Sequence, residues 1–439
     1  MPRIVITETI VEFTRSGNFR AAEVTSLPLC GTGTTEELMS FVVTEVQAAG
    51  FRSLQQIRFP VERLSVFVGA NAAGKTNLYR VLQLLQSAAA GTLAREVAAE
   101  GGMQSALWAG ERKSKEPARI ALSVWLSPTG PEQADHCREV ETEPGVTSYQ
   151  IELGLSPPTG AAFAFEPQIK SETLRHRIAE RSMTLLERRG PSGFARDRDG
   201  AKRDFINQLL ATETALASLH DGAHFPDVDQ VRRSMLEWRF YHDLRTDQTS
   251  PLRRPCLAVT TPTLSSDGAD LAAVLATLAF IREEVTDLNQ AIEDAFPGAK
   301  LVIPEPGRTA SFGMRFPDYP KRVFEAGELS DGTLRYLALV GALLAYRLPT
   351  FVALNEPETS LHPDLLEPLA RLIVRASERT QIWLVTHSER LAAALSFHGG
   401  VRPRAVIKRK GQTWIEGLKL TGTFESDDAD LEGDRGEQA

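Results

Sequence analysis

The sequence of 439 residues predicts an α/β protein with a mixed sheet, a separate antiparallel β lobe and a mainly helical insert. Short, largely apolar runs at Leu64–Val68, Phe351–Leu354 and Ile382–Val385 are each followed by polar or glycine-rich residues. Such runs are typical of parallel strands buried on both faces. From about residue 118 to 170, apolar stretches alternate with Pro and Gly turns, which favours antiparallel strands. Residues from about 171 to 295 have a mainly helical pattern.

The glycine-rich segment Gly69–Thr76 directly follows the first of these strands and precedes a predicted helix. Its sequence GANAAGKT matches the phosphate-cradling pattern G-x-x-x-x-G-K-[ST] in the context that the pattern requires. Glycines let backbone N–H groups turn toward an anion, and the following helix adds its positive dipole end. Lys75 is predicted to neutralise the outer phosphates and Thr76 to ligate magnesium. The predicted nucleotide-binding residues are Gly69, Ala70, Asn71, Ala72, Ala73, Gly74, Lys75, Thr76 and Asn77.

Polar residues follow the other two predicted strands at their carboxyl ends. Asn355 and Glu356 follow one strand, and His387 comes shortly after the other. Because ligands of open α/β sheets bind outside the carboxyl ends of the strands, we expect Glu356 to orient and polarise an attacking water. We expect His387 to contact a terminal phosphate and to report its loss. Each segment, taken alone, is compatible with an ordinary buried strand followed by loop residues. The occurrence of all these segments, in this order after one phosphate-binding loop, favours a catalytic site.

Together with Glu328–Leu339, these segments resemble the motifs of ATP-binding-cassette-type ATPases of the RecF/SMC branch. The resemblance is closest to the bacterial predicted AAA-family ATPases related to RecF. Gly69–Thr76 is similar to the Walker A loop, Leu329–Thr333 to the signature motif, usually Leu-Ser-Gly-Gly-Gln, and Leu354–Glu358 to the Walker B motif. Thr359–Pro363 occupies the place of the D-loop and His387 that of the switch histidine. The resemblance implies that Glu356 is the catalytic glutamate.

The resemblance also implies that ATP is held between two copies of the chain. The signature motif of one subunit would close over the nucleotide bound by the other. Ser330 and the backbone at Gly332 would then donate hydrogen bonds to the γ-phosphate, with a helix N-terminus behind them. Because only ATP carries the phosphate that both copies grip, ATP would stabilise a homodimer and hydrolysis would release it. The implied cofactors are ATP and Mg²⁺.

Asn355 stands where the Walker B motif usually has an aspartate. An amide can orient a magnesium-bound water but brings no negative charge, whereas magnesium favours charged oxygen ligands. We therefore predict Thr76 and Asn355 as metal ligands, with weaker metal binding or slower hydrolysis rather than loss of ATP binding. Two alternatives remain open: an ATP sensor that hardly turns over, and a tolerated change. The second is favoured.

Composition places the chain among cytoplasmic globular proteins. Its hydrophobic content of 42% and charged content of 24% are ordinary for this class. No run of about eighteen apolar residues occurs, so we expect no membrane insertion. The cysteines, Cys30, Cys137 and Cys256, show no paired spacing. A disulfide framework or zinc hook is therefore not indicated, and a reducing compartment is expected.

Five segments are predicted along the chain. Residues 1–38 form a disordered leader or a misassigned start, because Met39 precedes a predicted strand and Gly50–Ser53 resembles the opening of RecF-like ATPases. Residues 39–170 and 300–420 form the two parts of the ATPase head, and 171–299 form a mainly helical insert or lid. Residues 421–439 form an acidic disordered tail. From Phe424 onward this tail contributes −6 of the net charge of −8, which leaves −2 for the body.

Two groups of arginines are candidate contacts for DNA phosphates. The first comprises Arg175, Arg177, Arg181, Arg188, Arg189, Arg196, Arg198, Lys202 and Arg203; the second combines Arg232, Arg233, Arg239 and Arg245 with Trp238, Phe240 and Tyr241. The alternative is a solvated surface with salt bridges, and aromatic residues at such spacing are more often core than base-stacking platforms.

Two functions remain open at this stage. One is an ATPase that acts on DNA in repair, recombination or genome maintenance. The other is an ATP-sensing regulator of an unidentified effector protein in a phage-defence or toxin-type system. Energisation of transport needs a membrane partner and has the least support.

Overall fold

The structure is a computed structural model that describes residues 40–111, 117–129, 145–155, 163, 165–242, 244–281 and 285–425. The predicted leader at 1–38 and most of the predicted acidic tail lie outside the described residues. Among the helices of the described ranges, none has the length and apolar character needed to cross a bilayer.

The elements before residue 250 combine a long antiparallel region with a few helices. In chain order they are β1 (Ser40–Phe51), β2 (Leu54–Pro60), β3 (Leu64–Val68), α1 (Lys75–Ala90), α2 (Leu93–Ala99), α3 (Gly102–Ala106), β4 (Arg119–Thr129), β5 (Val146–Gly154), β6 (Gln168–Ile178), β7 (Arg181–Arg189), β8 (Ser192–Arg196), β9 (Lys202–Ile206), α4 (Ala215–Ser218), α5 (Pro226–Leu236) and β10 (Arg239–Tyr241).

The elements after residue 250 alternate more regularly between helix and strand. They are β11 (Cys256–Leu257), α6 (Leu271–Ile281), α7 (Thr286–Ala295), β12 (Lys300–Val302), β13 (Thr309–Ala310), β14 (Gly313–Arg315), β15 (Phe324–Glu325), α8 (Asp331–Leu344), β16 (Phe351–Asn355), α9 (Leu366–Ser377), β17 (Gln381–Thr386), α10 (Glu389–Gly399), β18 (Arg404–Arg409) and β19 (Gln412–Ile415). Short 3₁₀ helices lie at Pro251–Arg253, Ala326–Glu328 and Pro363–Leu365.

A six-stranded sheet forms the centre of the fold, in the order β10-β16-β17-β3-β18-β19. All its neighbouring strands run parallel except the final pair, β18 and β19, which is antiparallel. Side chains of β16 alternate between two cores: Phe351 and Ala353 pack on the α1 side, Val352 and Leu354 against α6 to α10. This double burial explains why the strand is apolar throughout. The mixed central sheet of the predicted fold class is confirmed.

The antiparallel lobe is an eight-stranded sheet in the order β2-β1-β4-β5-β6-β7-β8-β9. In β5, Tyr149, Ile151 and Leu153 are buried while the residues between them are partly exposed. This period of two is the pattern of a sheet with one covered face. The covered face shares a core with the buried side of α1, so the lobe supports the helix that follows the glycine-rich loop.

The interpretation of residues 171–206 as part of a mainly helical insert was wrong. These residues belong to β6, β7, β8 and β9, and the predicted boundary at residue 170 falls inside β6. Charged residues on the exposed face hid the alternation; β9, for example, buries only Phe205. Gly190 and Gly200, both at positive φ, lie between successive strands, where only glycine adopts the backbone freely. Helices α4 to α7 occupy the later part of the predicted insert, residues 215–295.

The C-terminal hairpin continues into ordered chain beyond the predicted boundary at residue 420. Phe424 is buried, and the guanidinium of Arg404 lies 3.7 Å from its ring centroid. The amide of Glu425 donates to the carbonyl of Gly417 at 2.9 Å. The prediction of disorder was therefore wrong for residues 421–425, because Phe424 is an apolar anchor within an acidic context. Residues 426–439 are outside the described ranges.

Arg188 stabilises the antiparallel lobe and is not an external phosphate contact. Its fully buried guanidinium donates to the carbonyls of Gly190 at 2.6 Å and Leu210 at 2.8 Å, and also to that of Glu213. Arg188→Met removes the side-chain donor from the carbonyls of Gly190 and Glu213, and one of the two donors from that of Leu210, which also accepts from the amide of Glu213. We expect it to lower the free energy of unfolding by about 2–4 kcal/mol, measured by urea denaturation.

The neighbouring Arg189 provides the matched control for this prediction. Its side chain is 83% exposed and pairs with Glu187 at 3.0 Å. Arg189→Met is expected to change the free energy of unfolding by less than about 0.5 kcal/mol. Equal effects of the two substitutions would show that the buried carbonyls do not depend on Arg188.

Candidate nucleotide-binding site

The parallel sheet brings the predicted site residues to one edge. β16, β17 and β3 are adjacent, and their register pairs Asn355 with Val385 and Thr386 with Val68. Because parallel strands end on the same side, Glu356, His387 and the loop that begins at Gly69 all lie at the carboxyl edge of neighbouring strands. This is where open α/β sheets place their ligands.

The loop Gly69–Gly74 turns sharply between β3 and α1. Gly74 has φ of 99°, and a Cβ atom there would lie 1.8 Å from Oγ1 of Thr413; both the backbone and the space therefore require glycine. The buried ammonium of Lys75 donates to the carbonyls of Ala70 at 3.2 Å and of Gly69. Thr76, at the start of α1, is exposed. The cation and the hydroxyl thus lie at a helix N-terminus, the position required to hold phosphate and magnesium.

A network of hydroxyl groups fixes this loop to distant parts of the chain. Thr413 Oγ1 donates to the carbonyl of Ala73 at 2.9 Å and lies 2.6 Å from Ser53 Oγ. Asn77 Nδ2 donates to the same Ser53 oxygen at 2.6 Å. Sequence reasoning missed Thr413 entirely. The only signal for Ser53 was its place in the segment that resembles the opening of RecF-like ATPases.

Glu358 organises the same sheet edge; the sequence placed it in the Walker B-like segment, near enough to supply charge, but not among the predicted site residues. Its carboxylate is 8% exposed, and its Oε1 accepts from Thr386 Oγ1 at 2.5 Å and from the amide of His387 at 3.0 Å. His387 Nδ1 lies 3.1 Å from this oxygen and 3.7 Å from Oε1 of Glu356. The imidazole is thus held between two carboxylates while about half its side chain remains exposed.

Glu356 has an unusual backbone conformation. Its φ is 48°, a left-handed value that few residues other than glycine adopt. Its amide donates to the carbonyl of Val385 at 2.8 Å, which fixes the turn against β17. Strained backbone of this kind is concentrated at functional sites, and here the carboxylate lies 3.7 Å from Nδ1 of His387.

The side-chain oxygen of Asn355 is a candidate ligand for a metal ion. Its Oδ1 is buried and has no hydrogen-bond partner among the described residues, whereas buried polar atoms are usually paired. The described ranges contain no group of three or more His, Cys, Asp or Glu residues able to hold a metal ion. Thr76, Asn355 and phosphate oxygens would be the candidate ligands of a magnesium ion at this edge, which suits its preference for few protein ligands.

The signature-like segment presents Ser330 and Asp331 at the surface at the N-terminus of α8, whereas Leu329 and Thr333 are buried. Ser330 caps this helix, because its Oγ accepts from the amide of Thr333 at 3.2 Å, and it remains exposed. A Cβ atom at Gly332 would lie 2.9 Å from the carbonyl oxygen of Ser360, so the signature packs against the D-loop-like segment. In the described residues no hydrogen bond or ion pair joins Leu329–Thr333 to the glycine-rich loop.

Most of the arginines proposed as DNA contacts have partners within the chain. Arg232 and Arg233 pair with Asp229 at 3.3 and 2.7 Å, and Arg203 pairs with Asp197 at 2.6 Å. The aromatic residues of the second cluster, Trp238, Phe240 and Tyr241, are buried. A base-stacking platform there is thus excluded.

Four arginines of the first cluster remain candidates for phosphate contact, among them Arg198, which is exposed between β8 and β9. Arg175, Arg177 and Arg181 are exposed on β6 and β7. Over the ranges that the structure covers, no ion pair engages them.

Comparison with protein-family models matches residues 165–393 to the family described as "AAA domain, putative AbiEii toxin, Type IV TA system". The match covers more than half of the chain and includes the signature, Walker B and His387 segments. No curated protein matches the sequence.

Solved structures of Smc heads share the fold. The SmcHead bound to the C-winged helix domain of ScpA is 13% identical, with a TM-score of 0.50, over 86% of this chain and 98% of that chain. The Smc head domain with an extended coiled coil, bound to the C-terminal domain of ScpA and derived from Pyrococcus furiosus, is 13% identical with a TM-score of 0.47, over 90% and 100%. The SMC head domain from Thermotoga maritima is 14% identical with a TM-score of 0.39, over 86% and 99%.

Proposed function

Because the chain belongs to the family described as "AAA domain, putative AbiEii toxin, Type IV TA system", we propose that it is an ATPase that dimerises when it binds ATP. One observation carries the proposal: the glycine-rich loop, Glu356 and His387 meet at the carboxyl edge of three adjacent parallel strands. A phosphate cradle, a carboxylate and an imidazole at one sheet edge support this proposal.

Each residue of the edge has a chemical role in this proposal. Lys75 and the loop amides bind the phosphates, and Glu356 orients and deprotonates the attacking water. His387, held at Nδ1 by Glu358, presents its other ring nitrogen to the terminal phosphate. Thr76 and Asn355 would hold Mg²⁺, which when bound supplies positive charge that offsets the developing charge on the phosphates.

The exposure of Ser330 and Asp331 in the signature segment supports the proposed dimer. Ser330 lies at the surface, and the described chain provides no hydrogen bond or ion pair from this segment to its own glycine-rich loop. A second copy would bring Ser330 and the Gly332 amide onto the γ-phosphate held by the first. ATP would then stabilise the dimer through its differential affinity for the paired state.

Replacing Asn355 by aspartate tests the role of its amide. Asn355→Asp adds a charged oxygen where the Oδ1 atom is now unpartnered. We expect the magnesium concentration for half-maximal hydrolysis to fall several-fold, because ligand charge strengthens the binding of hard cations. A magnesium titration of phosphate release measures this. An unchanged requirement would favour the alternative that the amide is a tolerated substitute.

DNA is the proposed target of the ATPase, supported by the exposed and unengaged charges of Arg175, Arg177 and Arg181. We expect double-stranded DNA to raise the rate of phosphate release, and added salt to abolish this effect, since phosphate contacts weaken steeply with salt. Replacing these three arginines by serine should remove the stimulation. The matched control is Arg203→Ser, whose arginine already pairs with Asp197.

A second candidate function is favoured by the family description, which names a toxin of a type IV system. In this alternative the chain senses ATP and regulates an effector protein. An ATPase rate that is unaffected by every DNA form, together with stoichiometric co-purification of one protein from the native host, would favour it over the DNA-directed role.

A further inference from the structure

Arg253 holds the signature segment from outside the recognised motifs. It lies at the end of the 3₁₀ helix Pro251–Arg253, and its side chain is 11% exposed. Its Nη1 donates to the carbonyls of Leu329 at 2.7 Å and Gly327 at 3.1 Å. Its Nε donates to the carbonyl of Thr246 at 2.9 Å. One guanidinium therefore links the loop that follows β10 to the turn that carries the signature.

The remaining nitrogen of Arg253 contacts the residue in which this signature departs from its usual form. Asp331 stands where the motif Leu-Ser-Gly-Gly-Gln has its first glycine. Arg253 Nη2 donates to Asp331 Oδ1 at 2.6 Å, and the Asp331 side chain is 57% exposed. Asp331 is also the first residue of α8, between Ser330 and Gly332.

The negative charge of the Asp331 carboxylate, at the N-terminus of α8, disfavours the binding of an anion at this segment. The amides at a helix N-terminus attract an anion, but an unpaired carboxylate among them would repel a triphosphate. Once a second copy covers the site and excludes water, the repulsion would increase because the effective dielectric constant falls. The bidentate geometry of arginine suits both tasks, since it pairs with a carboxylate while it binds backbone carbonyls.

We propose that Arg253 is a positioning residue that neutralises Asp331 and so allows the signature segment to accept the γ-phosphate bound by a second copy. This inference rests on the proposed ATP-dependent dimer. Four of the five N–H groups of Arg253 are already engaged with Asp331 and the loops on either side, so no direct contact with the phosphate is assigned to it. It acts by presenting Ser330 and Gly332 without the opposing charge between them.

A purely structural role for Arg253 gives a different expectation. If the residue only secured the backbone through the Leu329 and Gly327 carbonyls, then its loss could not be repaired by a change at Asp331. If it neutralises charge, removal of the carboxylate removes the need for the arginine. A double-mutant cycle separates the two roles.

The test measures the dimer dissociation constant with saturating ATP by sedimentation, in a Glu356→Gln background that slows hydrolysis. We expect Arg253→Met to weaken the dimer at least about tenfold, as truncation of one partner of a charge pair does at interfaces. Adding Asp331→Gly, which restores the usual residue of the motif, should return the constant to within about threefold of the parent. Raising the salt concentration should partly rescue the single variant and leave the double variant unchanged.

Three results would overturn the inference: no weakening by Arg253→Met, a double variant as weak as the single one, or a defect insensitive to salt. Binding of a fluorescent ATP analogue and thermal melting show whether each variant is folded. Should Arg253→Met fail to fold, Arg253→Lys keeps the positive charge; dimerisation within about threefold of the parent supports charge neutralisation, and a tenfold loss overturns it. A parent protein that binds ATP yet stays monomeric would instead overturn the proposed function, and the inference with it.

Discussion

Replacing Lys75 by alanine is expected to reduce the affinity for ATP by about a hundredfold, or about 3 kcal/mol. The ammonium of Lys75 is 5% exposed and lies on the carbonyls of the glycine-rich loop. A phosphate bound there would interact with a cation that is largely shielded from solvent. Removing the ammonium would leave the negative charge of the phosphate uncompensated. Titration with a fluorescent ATP analogue measures the loss.

Lys300, an exposed residue of β12, provides the control for this experiment. Lys300→Ala removes the same charge from a separate three-stranded sheet and should leave the affinity unchanged. Thermal melting would show that Lys75→Ala remains folded. Tight binding by the folded Lys75→Ala variant would remove the glycine-rich loop from the account of the nucleotide site.

Glu356→Gln is expected to lower the rate of phosphate release by about a hundredfold or more, with ATP still bound. The carboxylate follows β16 on a turn with φ of 48°, 3.7 Å from the His387 ring. An amide in its place still fills the site but cannot take a proton from water. Steady-state phosphate release and ATP binding, measured on one preparation, separate the chemical step from affinity.

Glu378, exposed after α9, allows a matched substitution that also removes one carboxylate. Glu378→Gln should hydrolyse ATP at the parental rate. If Glu356→Gln retained that rate as well, another group would have to activate the water, and Glu358, the buried carboxylate beside His387, would be the first to examine.

The central sheet could be predicted well because the signal for each of its strands lies in adjacent residues. An apolar run that packs on both faces, followed by glycine or a polar pair, indicates a buried parallel strand and its ligand-facing end. The error at residues 171–206 has the opposite cause. There, strands such as β9 bury a single residue, and the arginines interpreted as DNA contacts or as a solvated surface are divided between an exposed face and the buried Arg188.

Some residues of the candidate site could likewise be predicted from local sequence, and others could not. Gly69–Thr76, Asn355, Glu356 and His387 could be predicted because each follows its own strand directly. Thr413, Ser53 and Arg253 could not, because they reach the site from distant segments; Thr413 and Ser53, which bond to each other, are 360 residues apart. Their hydroxyl and guanidinium contacts form only when three distant segments pack together: the C-terminal hairpin, the turn between β1 and β2, and the 3₁₀ helix that ends at Arg253.

The central claim is that ATP joins two copies of this chain. Its most direct test is the molar mass of the Glu356→Gln variant by light scattering, without nucleotide, with ADP and with ATP. The account predicts the monomer mass of 48.2 kDa in the first two conditions and twice that mass with ATP. A protein that is saturated with ATP and yet keeps the monomer mass would contradict it.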